Sequence, residues 1–226
     1  MSTSTRIVEV RQKLLKQNDV AARALRDRFR QANVYVVSLV SSPGSGKTAF
    51  LEETLKQLNK NHRVAALVGD LATDNDAHRL ARSGAPVKQI ITGTVCHLEA
   101  EMVRSALDDW MPPDLEFLFV ENVGNLVCPA SYDLGENLRL VLLSVTEGED
   151  KPLKYPTIFN TADIAVITKI DLAAAVEFDL ETARKHIQSV RPGMKVLEVS
   201  SKTGDGMGEW FELLRMSRRS ILEHSA

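Results

Sequence analysis

The chain has 226 residues, 44% of them hydrophobic and 26% charged, with a formal net charge of −2. That length supports one substantial core rather than two domains of comparable size, and the near-neutral balance excludes a general attraction to nucleic acid or anionic membranes. Two cysteines, Cys96 and Cys128, are too few for a disulfide framework; the start, MSTSTRIVEVRQK, lacks a signal-peptide core, and the apolar runs are strand length, so a cytoplasmic protein with free thiols is expected.

In chain order, Ile7, Val10, Leu14, Ala21, Leu25 and Phe29 recur at helical spacing among many charges. They predict a helical arm over residues 1–33, packed on a main domain of residues 34–226. Arg23, Arg26, Arg28 and Arg30 read as a solvated helix face rather than a basic docking patch.

The stretch from Val36 to Thr48, VVSLVSSPGSGKT, runs an apolar strand into glycines and then into a helical pattern. Main-chain N–H groups can approach phosphates closely where Gly44 and Gly46 carry no side chain, with Ser45 between them, and the helix N-terminus adds positive potential. Lys47 is placed to reach β- and γ-phosphate oxygens and the Thr48 hydroxyl to bind Mg²⁺. Ser41 stands where the G-x-x-x-x-G-K-S/T pattern has its first glycine, so the turn is made by a residue with a side chain.

A second strand, Val64 to Gly69, delivers Asp70 to the edge where ligands sit in parallel sheets, followed by Thr73, Asp74 and Asp76. Asp70 is the choice for a Mg²⁺ contact; Asp74 and Asp76 read as caps of a helix over Ala77 to Arg82. After a short strand, Val87 to Ile91, Cys96 and His97 open a helix from Leu98 to Asp109. A lone cysteine is ordinarily a small buried hydrophobe and a lone histidine a satisfied one.

The strand Leu115 to Val120 ends in Glu121-Asn-Val-Gly124, a Walker B-like segment in which a carboxylate can hold Mg²⁺ and Gly124 can sense the γ-phosphate. Cys128 follows closely, so both cysteines leave strand ends on the nucleotide side. Cys96, His97 and Cys128 thereby become a candidate Zn²⁺ or Ni²⁺ site, with three ligands leaving a four-coordinate site open.

Asn137 to Val145 reads as a strand, residues 149–159 as a loop with two prolines, and Ala162 to Thr168 as a strand running into Lys169-Ile-Asp171. Asp171 can accept paired hydrogen bonds from guanine, Lys169 can cover the base, and Thr168 replaces the usual asparagine of an N-K-x-D reader. After the strand Lys195 to Val199, Ser200, Ser201 and Lys202 form a turn suited to close over guanine. The final helix, Met207 to Leu222, carries Trp210, Leu213, Leu214 and Ile221 on an apolar face; Trp110 and Trp210 read as packing residues. The alternation predicts an α/β fold: a doubly wound, mainly parallel sheet of seven strands, the P-loop NTPase fold, with an N-terminal helical arm.

The segments SSPGSGKT, GDLATDNDAHR, TGTVCHLEAEMV, ENVGNLVCPASYDLGE, TKID and SSKTG resemble the HypB family, the nickel-incorporation GTPases of nickel–iron hydrogenase maturation, from about Val34 onward. Ser41 matches that family's loop. The resemblance implies GTP/GDP and Mg²⁺ as cofactors, a GTP-dependent homodimer with Zn²⁺ or Ni²⁺ at Cys96, His97 and Cys128, and two partners: a small nickel-binding HypA-type accessory protein and the hydrogenase large subunit. Many members also carry an N-terminal nickel-storing motif, which MSTSTRIVEVRQK lacks. The residues imply slow, electrostatic catalysis by Lys47, Thr48, Asp70 and Glu121, without an evident water-orienting glutamine. The alternatives are a urease-type nickel-delivery GTPase, a P-loop small-molecule kinase, and a metal binder in which nucleotide is only structural.

Overall fold

The computed structural model describes residues 3–71 and 75–224, with side chains described for 12–71 and 75–220. A long helix α1 (Thr3–Gln31) precedes seven strands: β1 (Tyr35–Ser41), β2 (Val64–Asp70), β3 (Val87–Ile91), β4 (Phe117–Glu121), β5 (Leu138–Ser144), β6 (Ile164–Thr168) and β7 (Lys195–Val199). They form one sheet in the order β3-β2-β4-β1-β5-β6-β7, with every pairing parallel. The helices between them are α2 (Lys47–Leu58), α3 (Asn75–Ala81), α4 (Ala100–Asp108), α5 (Lys151–Lys154), α6 (Pro156–Thr161) and α7 (Leu180–Val190), and α8 (Met207–His224) ends the described chain.

The central strands are apolar on both faces because helices cover both. β1 and β5 are buried at every position. One face packs Leu39, Phe50, Leu55, Phe119 and Trp210 into a core, with the Phe50 and Trp210 ring centroids 5.4 Å apart. The buried Trp210 indole N–H is satisfied by Thr54 Oγ1 at 3.0 Å. The opposite face packs Val36, Leu67, Val103 and Leu118 against Ala22, Leu25 and Phe29 of α1.

The arm is thus a covering helix, but its apolar stripe differs from the sequence expectation. Leu25 and Phe29 are buried, Ala21 is half-buried beside a fully buried Ala22, and Leu14 is 52% exposed. The side chains of Ile7, Val10 and Ile221 lie outside the described residues. The arginines are not merely solvated either. Arg26 makes two 2.8 Å bonds to the Asp133 carboxylate, and Arg28 reaches Asp108 at 2.7 Å.

Residues 149–159, expected as a loop, contain α5 and the start of α6. Their prolines sit in the first turn of each helix, where a missing N–H leaves no bond unmade, so proline starts these helices instead of preventing them. The register brings Ser41, Asp70, Glu121, Ser144 and Thr168 to the C-terminal edge of the sheet, on both sides of the central strand β1. Among the described residues no helix is long and apolar enough to cross a membrane.

Candidate functional site

Gly44 (φ 75°) and Gly46 (φ 89°) adopt left-handed backbone, turning the chain from β1 into α2. Ser41, in place of the first glycine, is fully buried and donates to the Ser42 carbonyl at 2.7 Å, while Ser45 Oγ donates to Ser41 Oγ at 2.5 Å. The side chain at that position braces the loop. Gly124 approaches so closely that a Cβ there would stand 3.1 Å from Pro43, which leaves its backbone facing the loop.

Gly44, Ser45, Gly46, Lys47, Thr48, Asp70, Asp76, Gly124 and Lys169 line one cavity of about 580 Å³. Beneath it, the Thr48 hydroxyl donates to Glu121 Oε1 at 2.8 Å, and the Lys47 ammonium lies 3.9 Å from the same oxygen. Glu121 is 2% exposed, and its Oε2 has no hydrogen-bond partner among the described residues. Burial pushes the Glu121 carboxyl up to about 7, with Lys47 and the Thr48 bond opposing that rise. A buried carboxylate with one vacant oxygen beside a threonine hydroxyl fits a hard divalent cation such as Mg²⁺.

Asp76, expected as a cap, lies inside the first turn of α3, and its Oδ1 accepts from Thr48 Oγ1 at 3.1 Å. Asp70, the expected Mg²⁺ contact, lines the same cavity while its Oδ1 accepts from the Leu71 N–H at 2.6 Å. The sequence placed both near the phosphate loop, but periodicity cannot tell a capping carboxylate from one reaching across to another helix. Thr73 and Asp74 lie outside the described residues.

A narrower cleft of about 180 Å³ adjoins the first, lined by Gly46, Thr168, Lys169, Asp171, Ser200, Ser201 and Lys202 among others. Thr168 Oγ1 donates to the Ser45 carbonyl at 2.6 Å and Lys169 Nζ to the Gly44 carbonyl at 2.7 Å, so both residues tie this cleft to the phosphate loop. Ser200 Oγ donates to Asp171 Oδ1 at 2.7 Å and fixes that carboxylate at the cleft wall. Sequence reading assigned no such role to Ser200, and Thr168 replaces the absent amide with a tether.

The third cluster is built from two loops beside these cavities. Cys96, His97 and Cys128 bring one ligand atom each within 4.8 Å of one another, and the two sulfurs are 2.8 Å apart. Neither cysteine is in a disulfide. His97 is 9% exposed; neither ring nitrogen has a hydrogen-bond partner among the described residues, and Glu99 Oε1 lies 3.4 Å from Nε2 as an ion-pair contact. Burial holds the imidazole below its ordinary value against the raising effect of Glu99, which keeps a lone pair available at neutral pH. The Tyr132 ring covers it, with centroids 4.0 Å apart. Two thiols and a neutral imidazole without a bonded partner suit Zn²⁺ or Ni²⁺.

Asn122, between Glu121 and Gly124, was missed in the sequence because an asparagine beside an acidic residue carries no pattern. It is 2% exposed, and its Oδ1 accepts from the Leu98 and Val123 N–H groups, each at 2.9 Å. Gly69 permits that join, since a Cβ there would meet Leu98 at 2.7 Å.

Residues 35–198 match the family described as CobW/HypB/UreG, nucleotide-binding domain. The chain is 45% identical over 220 residues to the hydrogenase maturation factor HypB of Azotobacter chroococcum, covering 97% of this chain and 72% of that one. It is 44% identical over 213 residues to that of Escherichia coli K12, covering 94% and 73%. The crystal structure of HypB from Helicobacter pylori in complex with nickel superimposes with a TM-score of 0.86 at 39% identity, covering 90% of this chain and 96% of that one. The chain therefore belongs to the CobW/HypB/UreG family of GTPases and, within it, to the hydrogenase maturation factors HypB.

Proposed function

We propose that this chain hydrolyses GTP to control nickel held at Cys96, His97 and Cys128, and delivers it to the hydrogenase large subunit with a HypA-type accessory protein. The observation that carries the reading is the connection of the two sites. Glu121 and Gly124 at the nucleotide cavity lie on the segment that runs to Cys128, while Asn122 of that same segment bonds the main chain beside His97. The nickel in the related Helicobacter pylori complex supports the cargo.

In this reading Gly44, Ser45, Gly46 and Lys47 hold the phosphates, with Gly124 facing the γ-phosphate. Thr48 and Glu121 hold Mg²⁺, and Asp70 lies within the cavity to complete its shell, with Asp76 as a second acidic neighbour. Mg²⁺ neutralises charge developing on the phosphates, and the Lys47 ammonium does the same from the protein side. Asp171 reads guanine, Lys169 covers it, and Ser201 and Lys202 close the cleft. Three metal ligands leave a position for a second copy, water or the client, and GTP-dependent pairing of two chains supplies the first of these.

Light scattering tests it, with GDP or a non-hydrolysable GTP analogue, with and without Ni²⁺, on wild type and Cys128→Ala. The analogue should produce dimers, and the variant should lose metal binding while keeping nucleotide binding. A monomer indifferent to both nucleotides overturns the gated delivery.

A further inference from the structure

We propose that α1 is a working part of the metal site, with Asn18 as a positioning residue that holds the two ligand-bearing segments together. This rests on reading Cys96, His97 and Cys128 as metal ligands. Asn18 is 6% exposed in the middle of a long helix, where an asparagine is a poor helix former and a buried amide is costly unless bonded. Its two polar atoms are both used, and they go to different segments of the chain. Nδ2 donates to the Asp133 carbonyl at 2.8 Å, and Oδ1 accepts from the Ala100 N–H at 2.8 Å. Only one orientation of the amide satisfies a carbonyl and an N–H together, so the pairing fixes the side chain.

Each contact lies next to the metal cluster. Ala100 is the first residue of α4, just past His97; the N-cap residue Glu99 makes no side-chain capping bond, so the arm supplies the cap from outside. Asp133 follows Tyr132, whose ring covers His97, and ends the run that begins at Cys128. Arg26 holds the Asp133 carboxylate through two bonds. Gly135 lies flat against the helix: a Cβ there would meet the Ala22 carbonyl at 2.7 Å. From the sheet side, Asn122 pins Leu98. The segment from His97 to Ala100 is therefore clamped between two buried asparagines, one from β4's end and one from the arm. Groups that orient metal ligands change metal affinity when removed, although they never touch the metal.

The test compares full-length wild type, Asn18→Ala, Asn18→Ser and Arg28→Ala. Ni²⁺ titration is followed by thiolate-to-nickel charge-transfer absorption, with a thermal melt of each protein. Arg28 ties the same helix to Asp108 at the far end of α4, so its variant reports loss of arm docking alone. Both Asn18 variants should bind Ni²⁺ about tenfold more weakly, with an altered charge-transfer band. Arg28→Ala should bind as wild type does. Asn18→Ser keeps a small polar group, and its melt shows that a folded protein is being titrated. Wild-type affinity in the Asn18 variants overturns the proposal, and so does equal weakening in Arg28→Ala. A thiolate band absent from wild type, or unchanged in position and intensity in Cys128→Ala, overturns the ligand reading and this inference with it.

Discussion

The cleft around Asp171 and the neighbouring clusters around Glu121 and His97 share one sheet edge, yet they differ in how their polar atoms are satisfied. At the cleft, Thr168, Lys169 and Asp171 all have partners within the protein. At the other two, Glu121 Oε2 and both His97 nitrogens are buried without a hydrogen bond among the described residues. The cleft is finished within the protein; the other two leave acceptor atoms that a cation can take up. The folded chain thus carries one finished end and two unfinished ones, whose stability responds to what binds them.

Lys47→Ala attacks the unfinished side directly and should have the largest effect. Its ammonium sits 3.9 Å from Glu121 and lines the phosphate cavity, so GTP turnover should fall by about two orders of magnitude or more in a phosphate-release assay.

The Glu121 carboxyl, raised from 4.5 to about 7, makes a stability prediction with a definite sign. The native state binds this proton more tightly than the unfolded chain does. Stability is therefore fully present below the unfolded value and declines as pH rises through the folded one. In nucleotide- and metal-free protein the loss should be at most of order 3 kcal/mol across that window, read from urea melts. Glu121→Gln should flatten that dependence. A wild type whose stability climbs over the same window would remove the contrast between the two ends.

Asp171→Asn addresses the finished end. Losing the paired acceptor should weaken GTP by about 1–3 kcal/mol in a competition assay. XTP should gain, because its C2 carbonyl can accept from the new amide. Thr168→Val is the smallest step: it leaves the Ser45 carbonyl without its 2.6 Å donor and should cost about 1 kcal/mol in a thermal or urea melt, with nucleotide preference unchanged.

What was legible in the sequence followed locality. Strand, glycines and helix from Val36 to Thr48 lie side by side in the chain, and their function depends on that adjacency. Cys96, His97 and Cys128 were legible as a group because both cysteines follow strand ends, those of β3 and β4, on the same edge of a parallel sheet whose alternation could be predicted. Asn18 was not, because its partners lie far off in sequence and one asparagine in a charged helix marks nothing. Asp76 read as a cap because its bond to Thr48 depends on how α3 packs against α2. The helices α5 and α6 were hidden by Pro152 and Pro156, which break a helix interior yet suit its first turn.

Lys169 is held at φ 60°, a left-handed backbone that costs a non-glycine residue about 1–2 kcal/mol. Glycine would relax that bend and lose the ammonium that spans to the Gly44 carbonyl. The lysine therefore stands against its own backbone preference. Its tension is stored where the cleft of Asp171 meets the glycine loop, so that one side chain links the two cavities.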